Sequence, residues 1–323
     1  MDSIATFDRE GLLHAAELVY RHMPPTPQRE WPLLSRRLGV ETWVKHENHA
    51  PTGAFKLRGG LVYMERLRRE RPQVAGVISA TRGNHGLSLA CAGRAHGVRV
   101  TICVPRGNSA EKNAAMQAYG AELVEHGDDF DEARLHAAQL ADEQGLELVP
   151  SFHPDLVLGV ATLAWEFLHG APPLDTVYVG IGMGSGICAM IAVRDLLGLP
   201  TEIVGVQAAG APSYQLSFAA GRVVPTARAD TLADGLATRS PDPRAVDIIR
   251  RGAARVLLVS DGEVAEAIRI YHTDTHNLSE GAGAAALAAA LQERGGGARR
   301  IGLVLSGGNI DLALLRSWVL PEA

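Results

Sequence analysis

The sequence predicts an α/β fold: two open, twisted, mainly parallel sheet domains with helices on both faces and a ligand cleft between them. Three observations predict it. Short apolar runs of strand length alternate with helical stretches. The alternation falls into two series, one beginning near Val74 and one near Pro150. Loops rich in glycine and small polar residues follow three of the strands, at Ser79–Asn84, Gly180–Gly186 and Leu305–Asn309. Open α/β sheets bind ligands at such carboxyl ends.

In the first series Val74–Ser79 reads as a buried strand and Asn84–His96 as a helix. Val98–Val104 is the next strand, stopped by Pro105, followed by a helix over Ala110–Tyr119 and a strand over Ala121–Glu125. Asp128, Asp129, Asp131 and Glu132 suit the positive end of a helix dipole, on a solvated face. In the second series Thr176–Gly180, Ile203–Gln207, Val256–Ser260 and Ile301–Leu305 read as strands. Ile187–Leu197, Val264–Asn277 and Ala282–Gln292 read as helices. Strands this short and apolar belong in parallel sheets covered on both faces. The smaller domain is expected over 76–148 and the larger from 1–75 with 149–323.

A chain of 323 residues with 46% hydrophobic and 21% charged residues has enough apolar surface for two domains without disulfide or metal staples. A net charge of −5 sets aside a polybasic nucleic-acid or membrane-surface protein. Apolar stretches such as Ala282–Leu291 are too short to span a bilayer. Met1–Asp8 lacks a basic and then apolar leader, so a cytoplasmic protein is expected. Cys91, Cys103 and Cys188 are dispersed, without a CxxC, as in a reducing compartment. The basic residues are nearly all arginine: Lys45, Lys56 and Lys112 are the only three lysines. Any chemistry that needs a primary amine side chain has three candidates.

Gly180-Ile181-Gly182-Met183-Gly184-Ser185-Gly186 follows a strand and opens a helix. Glycines let a backbone approach an anion, and the free N–H groups of a helix start bind phosphate. A dinucleotide fingerprint fails here, because the third glycine position holds Ser185 or Ile187. The next strand also ends in Gln207 rather than in an acid for a ribose. A Walker loop is excluded, since no glycine directly precedes a lysine. A single phosphate group is the expected occupant.

Thr52-Gly53-Ala54-Phe55-Lys56-Leu57-Arg58-Gly59 places Lys56 where a turn becomes a helix, beside an aromatic ring. A lysine desolvated there has a lowered pKa and becomes a nucleophile, although most lysines are surface groups. The segment resembles the cofactor-lysine motif of the tryptophan-synthase-β-like, fold-type II pyridoxal-phosphate enzymes, in the threonine/serine dehydratase branch. Three further motifs of that family appear in order. Ser79-Ala80-Thr81-Arg82-Gly83-Asn84-His85-Gly86 is similar to the asparagine loop, Gly182–Gly186 to the phosphate loop and Ser306-Gly307-Gly308-Asn309 to the terminal loop. The resemblance runs from about Thr26 to Asn309.

The resemblance implies pyridoxal 5'-phosphate in the interdomain cleft. Lys56 would form the Schiff base, with Phe55 beside it. Asn84 would bond the 3'-oxygen; Gly182, Met183, Gly184, Ser185 and Gly186 would cradle the phosphate; Ser306 would bond the ring nitrogen. Ser79, Thr81, Arg82, Gly83 and His85 would meet the substrate, a small amino acid. A neutral hydroxyl cannot hold the ring nitrogen protonated as an aspartate would, which favours elimination over a long-lived carbanion. The implied reaction removes water from a β-hydroxy-α-amino acid of the threonine/serine type, giving a 2-oxo acid and ammonia. Lys56 would take the α-proton, and the cofactor phosphate would protonate the leaving hydroxyl. Alternatives are another hydroxy-amino acid, such as 3-hydroxyaspartate, and a serine racemase-like activity. A homodimer or homotetramer is expected.

The motifs also depart from the pattern. Arg82 stands where serine racemases carry the acid–base serine and dehydratases a small residue. It either faces solvent or an acid of the other domain, or forms a bidentate contact with a second acidic group on the substrate. Leu87 replaces a glutamine, Gly159-Val160-Ala161-Thr162 replaces G-Q-G-T, and Glu280-Gly281-Ala282-Gly283-Ala284 is similar to E-P-S-G-A without its proline. No appended regulatory domain is expected after Asn309. His272 and His276 stand four apart, but lack the glutamate of HExxH and are assigned surface roles. Asp230 and Asp234 are compatible with a divalent cation or with a local turn; no metal is assigned.

Overall fold

The computed structural model describes residues 7–320, so the first six residues of the leader reading fall outside the described residues. The strands are β1 Gln28–Glu30, β2 Glu41–His46, β3 Val77–Ala80, β4 Val100–Val104 and β5 Glu122–Glu125. They continue as β6 Glu147–Leu148, β7 Thr176–Gly180, β8 Glu202–Ala208, β9 Arg255–Val259 and β10 Arg300–Leu305. Among the described residues they form a six-stranded sheet, β1-β2-β10-β7-β8-β9, and a four-stranded sheet, β5-β4-β3-β6. All pairings are parallel except β1 with β2.

Strand order locates the functional loops. In the larger sheet the chain runs β7 to β8 to β9, then returns to the other side of β7 as β10. In the smaller sheet it runs β3 to β4 to β5, then returns beside β3 as β6. Each reversal leaves a crevice at the carboxyl ends of the strands. The loops after β7, β10 and β3 are the three singled out above.

Period-two alternation sends neighbouring side chains to opposite faces. Tyr178, Leu303 and Leu305 pack with the Pro32–Leu38, Asp261–Thr275 and Gly281–Gln292 helices. Val177, Val179 and Val304 pack with the Pro154–Gly170, Ser185–Leu196 and Pro243–Gly252 helices. In the smaller sheet Val77, Ile102 and Val104 face one core, and Ile78 and Cys103 face the other. The first of those cores also takes in Leu57, Leu61 and Met64 of the Lys56–Glu70 helix and Ala15 and Leu18 of the Arg9–Tyr20 helix. The packing around the smaller sheet therefore reaches beyond 76–148.

Element ends differ from the sequence reading for local reasons. Val74 N–H turns back to Arg71 O, which delays β3 to Val77. Gly97 ends the preceding helix in the left-handed region at φ +65°, and Val98 N–H bonds Gly93 O, so β4 begins at Val100. A capping box between Ser260 and Glu263 starts the next helix at Asp261 rather than Val264. That helix ends at Thr275; His276 is its left-handed cap at φ +55°, outside the helix that the i, i+4 pairing with His272 assumed.

Candidate active site

The lysine segment is sewn to the terminal loop. After β2 and a short turn, Ala54 pairs antiparallel with Gly307. Phe55 N–H donates to Ser306 O at 3.1 Å, and Gly308 N–H donates to Gly53 O at 2.9 Å. The helix opens at Lys56, whose ammonium lies 4.7 Å from the Phe55 ring centroid and 3.3 Å from Ser185 Oγ. Desolvation lowers the Lys56 pKa from 10.5 to about 8, and the Glu280 charge opposes the shift.

Arg58, two residues on, is fully buried. Its guanidinium donates to Glu47 at 2.8 and 3.0 Å, to Glu166 at 2.6 and 2.9 Å and to Thr162 Oγ1 at 2.9 Å. Lys45 adds a bond to Thr26 O at 2.7 Å and one to Glu166 at 2.5 Å. Two cations and two carboxylates thus balance in the interior, fixing the first turn of the lysine helix. Gly59 and Gly159 let that helix cross the Pro154–Gly170 helix closely: a Cβ on Gly159 would stand 2.2 Å from Arg58 O.

The phosphate loop is shaped by its glycines. Gly184 caps the Ser185–Leu196 helix at φ +99°, a conformation that disfavours any side chain. A Cβ on Gly182 would meet Gly235 O at 2.2 Å. Tyr214 hydroxyl donates to Met183 O at 2.8 Å and accepts Asp242 N–H at 3.1 Å, pinning the loop from behind. Gly186 faces the Phe55 ring. Gln207, the residue that spoke against a dinucleotide, is buried, and its Oε1 accepts N–H bonds from Tyr214 and Gln215.

In the asparagine loop Thr81 Oγ1 accepts Gly83 N–H at 3.1 Å. Asn84 opens the next helix. Its Oδ1 accepts from Asn309 Nδ2 at 2.8 Å, and its Nδ2 donates to Glu280 Oε1 at 2.6 Å. His85 is buried beside Lys56; desolvation, then the Lys56 charge, lowers its pKa to about 3, and its Nε2 has no partner among the described residues. Two residues expected to meet the substrate have the following surroundings. Ser79 hydroxyl donates to Val149 O at 2.8 Å, within the sheet. Arg82 is exposed, with neither a hydrogen bond nor an ion pair among the described residues, as in the first of the alternatives weighed above.

Sequence reasoning left four cleft residues out of the site. Glu280, in a motif quoted above, is buried; desolvation raises its pKa to about 7, and Lys112 is the foremost charge pulling it down. Lys112 Nζ lies 3.2 Å from Asp234 Oδ2. Asn309 also donates to Thr52 O at 2.8 Å, joining the terminal loop to the lysine segment. Lysine scarcity was a signal for Lys112; nothing in the local pattern marked Asp234 as its partner. Among the described residues no group of three or more His, Cys, Asp or Glu side chains is arranged to hold a metal.

A desolvated lysine, a glycine loop at a helix start, a buried imidazole whose Nε2 has no partner among the described residues and a serine whose backbone carbonyl is bonded to Phe55 fit a phosphorylated aromatic aldehyde. They define a site able to hold such a cofactor beside a lysine amine. The chain belongs to the family described as pyridoxal-phosphate dependent enzyme, whose profile matches residues 19–307. It is 39% identical over 282 residues to an L-threonine ammonia-lyase of Geobacter sulfurreducens, covering 86% of this chain and 70% of that protein. It is 31% identical over 304 residues to an L-threo-3-hydroxyaspartate ammonia-lyase of a Pseudomonas species, covering 93% and 95%. The crystal structure of a pyridoxal 5'-phosphate-dependent aspartate racemase superposes with a TM-score of 0.90 at 27% identity, over 95% of this chain and 97% of that one. No helix among the described residues is long and apolar enough to cross a membrane.

Proposed function

We propose that this protein is an ammonia-lyase that eliminates water from a β-hydroxy-α-amino acid of the threonine/serine type. The products are a 2-oxo acid and ammonia. The observation that carries the reading is the backbone bond from Phe55 N–H to Ser306 O, which brings Ser306 beside the lysine segment, where its neutral hydroxyl would serve as ring-nitrogen partner. The relatives named as ammonia-lyases support it.

Bound pyridoxal phosphate supplies an electron sink for the bond broken at the substrate α-carbon. Burial pushes the Lys56 pKa down, to about 8, which favours the neutral amine that would take the α-proton at Nζ. The N–H groups and Thr81 hydroxyl of the Thr81–Asn84 loop hold the substrate carboxylate. Asn84, clamped by Asn309 and Glu280, would offer its remaining amide N–H to the 3'-oxygen. Gly182 to Gly186 would hold the phosphate. The C–H and C–O bonds break, water leaves, and the released enamine hydrolyses to the 2-oxo acid and ammonia.

Relatives named for 3-hydroxyaspartate and for aspartate racemisation support a second reading, a dicarboxylic substrate. Racemisation needs an acid–base group opposite Lys56; Arg82, a guanidinium side chain exposed to solvent, is a poor one. The reading extends to 76–148 as the smaller domain and to a cytoplasmic homodimer or homotetramer, consistent with three unpaired cysteines. The test is keto-acid release from threonine, serine, 3-hydroxyaspartate and phenylserine. Release from threonine or serine supports the reading; no release from any of the four refutes it.

A further inference from the structure

One ammonium in the cleft has no role in the reaction described. Of the three lysines, Lys45 is bound within the buried ionic cluster and Lys56 is the cofactor lysine. Lys112 lies on the Ala110–Ala118 helix and stretches along the asparagine loop: a Cβ on Gly83 would meet its Cδ at 3.1 Å and its Nζ at 3.7 Å. Its side chain is only 13% exposed. The partner, Asp234, comes from the far wall of the cleft, next to Gly235, whose carbonyl abuts Gly182 of the phosphate loop. The cation is therefore bracketed by the expected carboxylate loop, the rim of the phosphate loop and Glu280.

We propose that Lys112 binds the α-carboxylate of the amino-acid substrate, exchanging Asp234 for it as the substrate enters. The inference rests on the reading of the Thr81–Asn84 loop as the carboxylate site. Asp234 is 39% exposed, three times as much as Lys112, so on release its carboxylate is hydrated at the rim while the ammonium stays in the cleft. An ion pair with one solvated partner contributes little, so the exchange costs little. A substrate carboxylate would gain a charge-assisted bond in addition to the backbone N–H groups of the loop. Arg82 does not compete for this role, because it stands in solvent without a partner among the described residues.

The two residues should move binding in opposite directions, which a merely structural pair would not do. The probe is glycine, an amine and a carboxylate with no β-substituent. Glycine is titrated into holoenzyme and its binding read from the change in cofactor absorption. This reports binding even if the protein is no hydroxy-amino-acid lyase, so the two readings fail separately. Lys112→Gln should weaken glycine about tenfold or more, the scale of one hydrogen bond to a charged group. Lys112→Arg should recover most of that loss, and Asp234→Asn, which removes the competitor, should tighten glycine a few-fold. The proposal is overturned if Lys112→Gln leaves glycine within twofold of the parent. It is equally overturned if the loss is confined to 3-hydroxyaspartate, or if Asp234→Asn weakens glycine. Should Lys112→Gln not fold, the sign of the Asp234→Asn effect decides alone.

Discussion

Protein stripped of pyridoxal phosphate and then offered it again should capture it at a rate set by the neutral fraction of Lys56. Burial lowers that pKa from 10.5 to about 8, against the opposing charge of Glu280. At pH 7.5 an amine titrating at 10.5 is about 0.1% neutral, and one titrating near 8 is about a quarter neutral, a gain of roughly 200-fold. Capture, followed as the yellow absorption of the lysine-bound cofactor, should rise with pH and level off above a midpoint near 8. Glu280→Gln removes the opposing charge, so the Lys56 pKa should fall further and the midpoint should move to lower pH. Because the neutral fraction cannot exceed one, the gain at pH 7.5 is capped at about fourfold. Lys56→Ala should show no lysine-bound band. A midpoint near 10, or a Glu280→Gln shift to higher pH, would refute the assignment of burial as the cause.

Three other outcomes follow from the same geometry. Ser306→Asp would raise the proton affinity of the ring nitrogen; elimination should slow while α-proton exchange in deuterium oxide increases, and unchanged rates of both would remove Ser306 from the ring. Arg58→Met would leave Glu47 and Glu166 buried with Lys45 alone and should cost about 3–5 kcal/mol at pH 7 by urea denaturation. Burial pushes the Glu166 pKa up and Arg58 and Lys45 hold it below its ordinary value, so without Arg58 it should rise. The folded variant then binds more protons than its unfolded chain, and its deficit should shrink from pH 8 to pH 5. A deficit that does not change with pH would contradict this account. Arg82→Ala, altering an exposed group without partners, should change kcat/KM by less than about threefold on threonine and on 3-hydroxyaspartate; a tenfold loss confined to the dicarboxylic substrate would put Arg82 on its distal carboxylate.

Much of the site was legible because its chemistry is local. Lys56 at a turn-to-helix junction, the glycine loop opening a helix and the loops ending β3 and β10 each depend on residues adjacent in the chain. The alternation of strand and helix was equally readable where apolar runs were flanked by glycine. Three strands, β1, β2 and β6, and the helices Arg9–Tyr20, Pro32–Leu38, Pro154–Gly170, Ser213–Ala220 and Pro243–Gly252 were not read. Asp8 and Asp242 as side-chain caps, and Pro154 and Pro243 at first helical positions, marked three of these helices in the sequence.

By itself the sequence determined which residues are available: one lysine where a turn becomes a helix beside an aromatic ring, one glycine loop opening a helix, and a serine in the loop after the last strand. Only the tertiary structure decided their company. It set Glu280 on Asn84, paired Lys112 with Asp234 across 122 positions, closed Arg58 among acids 11 and 108 positions away and turned Arg82 outward. Charge and hydrogen bonding act over a few ångströms of space, whereas residue patterns report only on neighbours along the chain. Partners brought together by the reversals of β10 and β6 leave no local mark.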